Sequence, residues 1–230
     1  MSDIFHLETN ILGRIFNSYS LTLHQNEFSV TKRKAKSLSF DLHKMRSFGS
    51  LECSIFGAHF TFKYEGQEYC FRFLSKNSAE RFTQAFNLIA KESINAYLIQ
   101  VFSEFNLLAI KAYPRDSNYA QIDNLITQLY QFYKYQPQQW REFLDEKDIS
   151  RLGEIINHYP LDIKKLRHSH ESHQLIKRKA FYDIVESNPL TEEQRLGVIR
   201  SNDRNMVLAA AGTGKTSVIV AKALDLNDRQ

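Results

Sequence analysis

The period of the hydrophobic positions changes along the chain, and each change marks a different kind of element. Between Ile4 and Phe16, the residues Ile4, Phe5, Ile11, Leu12, Ile15 and Phe16 fall at helical spacing and predict a short amphipathic helix. Apolar residues then alternate with polar ones at Leu21/Leu23, Phe28/Val30, Leu38/Phe40/Leu42, Leu51/Cys53/Ile55, Phe60/Phe62/Tyr64 and Tyr69/Phe71/Phe73. Successive side chains of a strand point to opposite faces, so a period of two predicts about six short strands with one buried face each. Gln25-Asn26, Phe48-Gly49-Ser50 and Glu65-Gly66 supply turn chemistry between them, the last suited to a tight hairpin. Strands joined by such short links pair antiparallel, which predicts a small curved sheet or half-open barrel.

Past Phe73 the apolar period lengthens again. Asn77 and Glu80 have the spacing of a helix N-cap and its reciprocal partner. Phe82, Phe86, Ile89, Tyr97, Leu98, Val101, Phe102, Phe105 and Leu108 then form one long stripe, with room for a single break. Strands followed by a helix that closes the barrel give the element order of a pleckstrin-homology-like (PH-like) β domain, expected over residues 1–112. Tyr113-Pro114-Arg115-Asp116-Ser117 ends that helix and marks a boundary. A helical arm is expected over residues 113–186. Ile122, Leu125, Ile126, Leu129, Tyr130 and Tyr133 form one face of it, and Ile149, Leu152, Ile155, Ile156 and Tyr159 another, with Pro137 and Pro160 as breaks. The charged stretch from Asp162 to Val185, apolar only at Leu175, Ile176, Ala180, Phe181 and Ile184, predicts a long, partly exposed helix. The expected fold class is α+β.

Composition narrows the reading a little. With 43% hydrophobic and 24% charged residues, 8 Gly and 4 Pro, the chain is of the ordered globular kind, which excludes collagen-like and low-complexity readings. Its 17 Phe and 11 Tyr suit strands and cores built of large residues. A net charge of +4 permits a polyanionic partner without establishing one. Cys53 and Cys70 are too few for a disulfide scaffold or a four-thiolate metal site, so a reducing, cytoplasmic setting is expected. The opening residues do not read as a secretory signal, and no apolar run approaches the roughly 20 residues of a membrane span.

The chemistry is concentrated near the C-terminus. Asn205-Met-Val-Leu-Ala-Ala-Ala-Gly-Thr-Gly-Lys-Thr216 matches the phosphate-loop (Walker A) pattern from Ala209 through Ala210, Ala211, Gly212, Thr213, Gly214 and Lys215 to Thr216. Met206 to Ala209 predicts a short apolar strand, Ala210 to Gly214 a turn of small residues, and Lys215 to Leu226 a helix. The first turn of such a helix offers free N–H groups to an anion, and Gly212 and Gly214 let the backbone curl around it. Lys215 would neutralise the β and γ phosphates, and the Thr216 hydroxyl would hold Mg²⁺.

Just upstream, Asn188-Pro-Leu-Thr-Glu-Glu-Gln194-Arg-Leu-Gly-Val-Ile199 places Leu190-Thr-x-x-Gln194 ahead of an apolar helix. Together with the phosphate loop this resembles the opening of the motor domain in UvrD/Rep-type superfamily 1 helicases. The resemblance implies an incomplete RecA-like ATP-binding domain over residues 187–230, with Gln194 on the adenine edge, Lys215 on the phosphates, Thr216 on Mg²⁺, and ATP and Mg²⁺ as cofactors. Thr191 and Gln194 also have the spacing of a capping box, and the two roles are compatible. In layout, the β-rich start, the helical arm and Glu186-Ser-Asn-Pro-Leu190 resemble the helicase IV group of that family. The resemblance further implies ATP-driven 3′ to 5′ movement on DNA, single-stranded or partly duplex, by a monomer.

The chain runs only a short way past Thr216. The Asp-Glu pair that orients Mg²⁺ and water, the arginine finger and the second motor domain are therefore expected to be missing, and the chain alone to be inactive. Leu208, Val218, Ile219, Val220 and Leu224 are expected to expose apolar surface that promotes association and weakens nucleotide affinity. The alternative is a stand-alone module that binds nucleic acid or protein and carries a vestigial phosphate loop.

Other candidates read as structural. Asp145-Glu146 precedes the phosphate loop and follows no buried strand, so an exposed helix end is expected. Lys32-Arg33-Lys34 with Lys36, and Lys177-Arg178-Lys179, could touch DNA phosphates, but solvated faces are expected. His168, His170 and His173 lie on a charged helix without Cys or Asp beside them, which argues against a metal site.

Overall fold

A computed structural model describes residues 4–16, 18–24, 27–32, 35–208, 210 and 212–228. The turn residues Gln25 and Asn26, the basic residues Arg33 and Lys34, and the loop residues Ala209 and Ala211 lie outside the described residues. In chain order the elements are β1 (Phe5–Glu8), α1 (Ile11–Phe16), β2 (Tyr19–His24), β3 (Glu27–Lys32), β4 (Ala35–Asp41), β5 (Ser50–Ser54), β6 (Gly57–Tyr64), β7 (Gln67–Leu74), α2 (Lys76–Phe105), α3 (Tyr119–Tyr133), α4 (Pro137–Phe143), α5 (Glu146–Ile156), α6 (Ile163–Lys177), α7 (Lys179–Ile184), α8 (Glu192–Ile199) and α9 (Lys215–Asp228). A π-helical turn, Asn106–Lys111, continues α2 up to the expected break before Tyr113. With two antiparallel sheets and nine α-helices among the described residues, the chain is α+β. None of those helices is long and apolar enough to cross a membrane. Two compact units divide it: Met1–Gln100 with Gln131–Leu152, and Val101–Tyr130 with Gly153–Gln230.

In the first unit, the strands form a four-stranded sheet in the order β1-β2-β3-β4 and a three-stranded sheet in the order β5-β6-β7. The Thr9–Leu74 bridge joins them, flanked by hydrogen bonds from Asn10 N to Phe73 O, 2.7 Å, and from Ser75 N to Glu8 O, 3.1 Å. The helix expected over Ile4–Phe16 is corrected here. Phe5–Glu8 is a strand in register with β2, Leu7 opposite Leu21, and α1 begins only at Ile11. Pairing on the β2 edge buries Leu7 and uses the backbone hydrogen-bonding groups, a gain that a short, mostly exposed helix does not match. Six alternating sets correspond to β2–β7, but Leu42 falls in a 3₁₀ turn and Ile55, 87% exposed, at a hairpin tip. β5 lies at the edge of its sheet, so its apolar alternation buries little. At Glu65-Gly66 a two-residue loop closes the β6–β7 hairpin, with φ of +48° and +81°.

The helix α2 starts at Lys76, so Asn77 lies inside its first turn rather than capping it. Its buried face, Phe82, Phe86, Ala90, Ile94 and Leu98, covers a core of aromatic rings. Phe28 is central: its ring centroid is 5.3 Å from those of Phe40 and Phe62, 5.7 Å from Phe86 and 5.8 Å from Phe82. Such edge-to-face and stacked pairs add to the burial of large apolar area.

Between the two sheets the chain crosses at Met45–Gly49, buried except at half-buried Arg46, and side chains meet its backbone groups. Asn87 accepts from Gly49 N, 2.7 Å, and donates to Gly49 O, 3.0 Å; Gln136 does the same for Phe48 N and O, both 2.9 Å. Ser47 Oγ donates to Lys63 O, 2.7 Å, and accepts from Lys63 N, 2.9 Å. A Cβ at Gly49 would stand 2.4 Å from the Phe60 ring, so only glycine fits there. Trp140 is fully buried on α4, and Phe143 packs on Phe48 with ring centroids 4.7 Å apart. Asp145 pairs with Lys91 at 2.8 Å at the exposed start of α5.

In the second unit, Tyr130 stacks on Tyr159 at 3.9 Å and Phe105 lies 5.6 Å from His158. The single helix expected from Asp162 to Val185 is two, because Arg178 leaves helical geometry between α6 and α7. Asp162 caps α6, accepting from Lys164 N and Lys165 N. The boundary segment Tyr113–Ser117 lies within this unit.

Truncating Phe28 to Ala is expected to cost about 3–5 kcal/mol in urea unfolding, the range for a fully buried Phe. Asn87→Ala leaves the two buried polar groups of Gly49 without partners, at about 1–3 kcal/mol each. An Asn87→Ala protein as stable as the parent would show that the crossing segment does not depend on these bonds.

Candidate nucleotide site

Glu192–Ile199 is helical because its start is closed chemically. Thr191 Oγ1 accepts from Gln194 N at 3.4 Å and Gln194 Oε1 accepts from Thr191 N at 2.8 Å, a complete capping box. Leu190, just outside the cap, is buried with Tyr182, Val198, Ile199, Val218 and Ala221 in a small core that seats α8 against α7 and α9. Gly197 permits that approach, since a Cβ there would stand 3.1 Å from Val218 Cγ1. Lys222 reaches from α9 to the carbonyls of Gly197 and Arg200 at the C-terminal end of α8. On the other side Arg195 holds Leu190 O at 2.7 Å and Asp183 at 2.6 Å.

This packing brings the adenine candidate to the loop. Gln194 Nε2 donates to Thr213 O at 3.3 Å, and a Cβ on Gly214 would meet that nitrogen at 2.4 Å. Gly212 and Gly214 have φ of +77° and +84°, the left-handed region that favours glycine. Thr213 turns back on Ala210, its hydroxyl donating to Ala210 O at 2.8 Å. The helix α9 begins at Lys215, and the Val218 N–H is bonded to Gly214 O at 3.1 Å as its first-turn hydrogen bond. A cavity of about 800 Å³ lies between these parts, lined by Gln194, Gly212, Thr213, Gly214, Lys215 and Ser217 among others.

Of the expected site residues, Gln194, Ala210, Gly212, Thr213, Gly214 and Lys215 line this one cavity. Thr216 is exposed on the first turn of α9 and does not line it; Ser217, which the motif did not single out, does. A helix advances about 100° per residue, which turns Thr216 away from the side that Ser217 shares with Gln194. The expected strand before the loop is corrected: Met206–Leu208 belongs to no strand among the described residues, with Met206 80% and Leu208 83% exposed. A strand needs a neighbour for its N–H and C=O groups, and without one the segment stays solvated. The exposed apolar tail is corrected in part, since Val218 is buried while Ile219, Val220 and Leu224 remain exposed.

Ionic contacts tie this region to the rest of the unit. Arg200 grips Glu171 at 2.8 and 3.1 Å, and Tyr113 OH adds a bond to the same carboxylate at 3.3 Å. Ser117 donates from N and Oγ to Asp203 at 2.7 and 2.8 Å, while Asp116 exchanges hydrogen bonds with Asn202 and pairs with Arg167 at 2.6 Å. Arg178, expected on a solvated face, is paired instead with Asp225 at 3.0 Å and Asp228 at 2.7 Å. Burial pushes the Glu171 carboxyl up, but Arg200 and Tyr113 outweigh it and hold it below its ordinary value. Hydrogen bonds from Arg167 and Asn202 lower Asp116, and those from Ser117 lower Asp203. Glu171, Arg200, Asp116 and Asp203 carry no motif, and the loops they join lie far apart in sequence. Among the described residues no group of three or more His, Cys, Asp and Glu side chains is placed to hold a metal ion; His170 is buried beside Tyr113.

No protein-family model, curated protein or solved structure matches the chain.

Two outcomes are expected. Gly214→Ala, which strains the backbone by about 1–3 kcal/mol and displaces the Gln194 amide, should shift the Thr191 amide resonance; an unchanged resonance would separate the loop from the capping box. The depressed carboxylates contribute stability that is full above the ordinary carboxylate range and lost as pH falls through their lowered values. The melting temperature should therefore fall on acidification below about pH 4, and fall less in Glu171→Gln. Identical acid profiles would remove the ion pairs from the account.

Proposed function

We propose that residues 187–228 bind MgATP and open the motor domain of a UvrD/Rep-type DNA helicase. The observation that carries this reading is the contact of Gln194 with the phosphate loop, which joins an adenine-reading side chain to a phosphate cradle around one cavity. In the proposed complex the N-terminal turn of α9 and the Lys215 ammonium neutralise the β and γ phosphates. The left-handed Gly212, with nothing within 4 Å of where a Cβ would stand, leaves room for an anion against the backbone. Gln194 has one Oε1 lone pair and one Nε2 hydrogen beyond those used by Thr191 and Thr213, enough for the N6 amine and N7 of adenine. Thr216, which the resemblance assigns to Mg²⁺, lies off the cavity, so no protein oxygen is assigned to the ion here; when bound, the ion would neutralise phosphate charge.

The reading extends, by resemblance, to ATP-dependent 3′ to 5′ movement on DNA in the helicase IV group, with a PH-like assignment for residues 1–112. Seven antiparallel strands closed by α2 support that assignment. Hydrolysis is a separate matter. The carboxylates lining the cavity among the described residues are Glu186 and Glu193, and no hydrogen bond or ion pair there holds either one. An unheld carboxylate does not preorganise a water for attack, so the chain is proposed to bind nucleotide without turning it over.

Titration with a fluorescent ATP analogue and Mg²⁺ should show saturable binding. Its affinity should be modest, because Met206–Leu208, just ahead of the loop, pairs with no strand among the described residues. Lys215→Ala should weaken it about tenfold or more, one charge-assisted contact being worth that much, and phosphate release should stay at background with or without DNA. Binding indifferent to both Lys215→Ala and Gln194→Ala would overturn the nucleotide reading and leave a binding module with a vestigial loop. DNA-stimulated phosphate release that vanishes in Lys215→Ala would overturn the inactivity.

A further inference from the structure

The first unit holds a second cavity whose chemistry the phosphate loop does not explain. It encloses about 300 Å³, at the small end of ligand pockets, and is lined by Lys44, Arg46, Lys63, Glu65, Phe132 and Tyr135 among others. Each cation is presented by a fixed piece of backbone. Lys44 ends the 3₁₀ turn Leu42–Lys44, which Asp41 caps by accepting from His43 N at 3.0 Å. Arg46 is pinned by Nη1, which donates to His43 O at 2.9 Å, Met45 O at 2.7 Å and Ser93 Oγ at 3.0 Å. Lys63 leaves β6 beside the Ser47 hydroxyl and places its ammonium 3.3 Å from the centre of the Tyr135 ring. Lys134 adds a fourth positive charge 5.3 Å from the same ring.

Among the described residues none of these four cations is in an ion pair, whereas the ion-paired arginines elsewhere in the chain each grip a carboxylate within 3.0 Å. Glu65 is the only carboxylate among the lining residues described. Arg46 is half-buried, its guanidinium lies 4.3 Å from the centre of the Tyr97 ring, and burial holds its pKa below the ordinary value. A partly desolvated cation is costly; the Asp41 carboxylate, acting without a direct ion pair, offsets part of that cost, and an arriving anion would offset more. The chain as a whole carries only +4, so this concentration of charge is local.

Beside the cations stands a ring. Tyr135 is 55% exposed, yet held on one side by Lys63, with Phe132 next to it in the lining. A cation–π contact of this kind attracts the ammonium to the ring face. Phosphate-binding cations next to an exposed aromatic face are the two parts with which proteins hold unpaired nucleotides. A base within a duplex has no free face for the ring, and a lipid headgroup would use the cations and leave the ring idle.

We propose that this cavity binds one nucleotide unit of a single-stranded nucleic acid, with its phosphate on Lys44, Arg46 and Lys63 and its base against Tyr135. The site lies wholly within the first unit and does not depend on the nucleotide reading of residues 187–228.

The test is fluorescence anisotropy of a labelled oligothymidylate of about 15 nucleotides, within the range of single-strand site sizes, with the full chain in low salt and no ATP. The parent protein should bind. Tyr135→Ala should weaken binding about tenfold without changing the salt dependence, and Tyr135→Phe should restore it. The pair Lys44→Gln with Lys63→Gln should weaken binding and reduce the slope of log K against log salt by about 1.4, two phosphate contacts at 0.7 each. Lys147→Gln, at an exposed lysine of α5 that does not line the cavity, should bind the oligonucleotide as the parent does. Circular dichroism melting of each variant establishes that it is folded. Failure of the parent to bind, or parent-like binding by both Tyr135→Ala and the lysine pair, would overturn the proposal. So would retained oligonucleotide binding by the lysine pair together with lost binding to vesicles carrying phosphorylated inositol lipid, an outcome that assigns the cavity to a headgroup.

Discussion

A backbone segment that leaves solvent must find partners for every N–H and C=O group, and this constraint shapes both units of the chain. In the first, the chain passes between two sheets at Met45–Gly49 without being a strand of either. Its polar groups are met by Ser47, Asn87, Ser93 and Gln136, side chains that come from α2, from the segment itself and from the start of α4. The phenylalanine core can close only because this crossing is satisfied, since Gly49 sits directly against Phe60 and Phe86. The same pins hold Arg46 and Lys63 where they face a common cavity.

The second unit shows the same constraint unmet. Met206–Leu208 has the composition of a buried strand but no neighbouring strand among the described residues, so it stays in water with its apolar side chains exposed. Order around the phosphate loop comes from elsewhere. Thr191 and Gln194 close the start of α8, and the Gln194 amide carries that order across to Thr213 and Gly214. Val218 and Ala221 anchor α9 on α8, while Arg200, Asp203 and their partners tie down the approach to the loop. One glutamine thus links a helix cap to the glycine-rich turn at Thr213 and Gly214.

Electrostatics divides the two cavities into different kinds of site. Around the phosphate loop, the neighbouring arginines are committed: Arg178, Arg195 and Arg200 are each paired with a carboxylate. In the first unit, Lys44, Arg46 and Lys63 stand without such partners and are arranged around an aromatic ring. Charges already paired contribute to holding a fold, whereas unpaired charges in a partly enclosed space are the ones free to recognise a ligand.

Local pattern determined a good deal by itself. The period of two over residues 19–74 corresponds to β2–β7, Glu65-Gly66 to its hairpin, the long apolar stripe to α2, and Thr191 with Gln194 to a capping box, because each depends on residues a few positions apart. The glycine spacing of the phosphate loop was legible for the same reason. Tertiary structure decided the rest. Phe5–Glu8 is a strand because β2 offers it an edge, and Met206–Leu208 is not one because no strand among the described residues pairs with it. Asn87 with Gly49, Arg46 with Tyr97, Glu171 with Arg200 and Ser117 with Asp203 are joined across long stretches of chain, with no periodicity to announce them. Pairing and burial depend on what else arrives at the same place, and that is a property of the folded chain, not of any window along it.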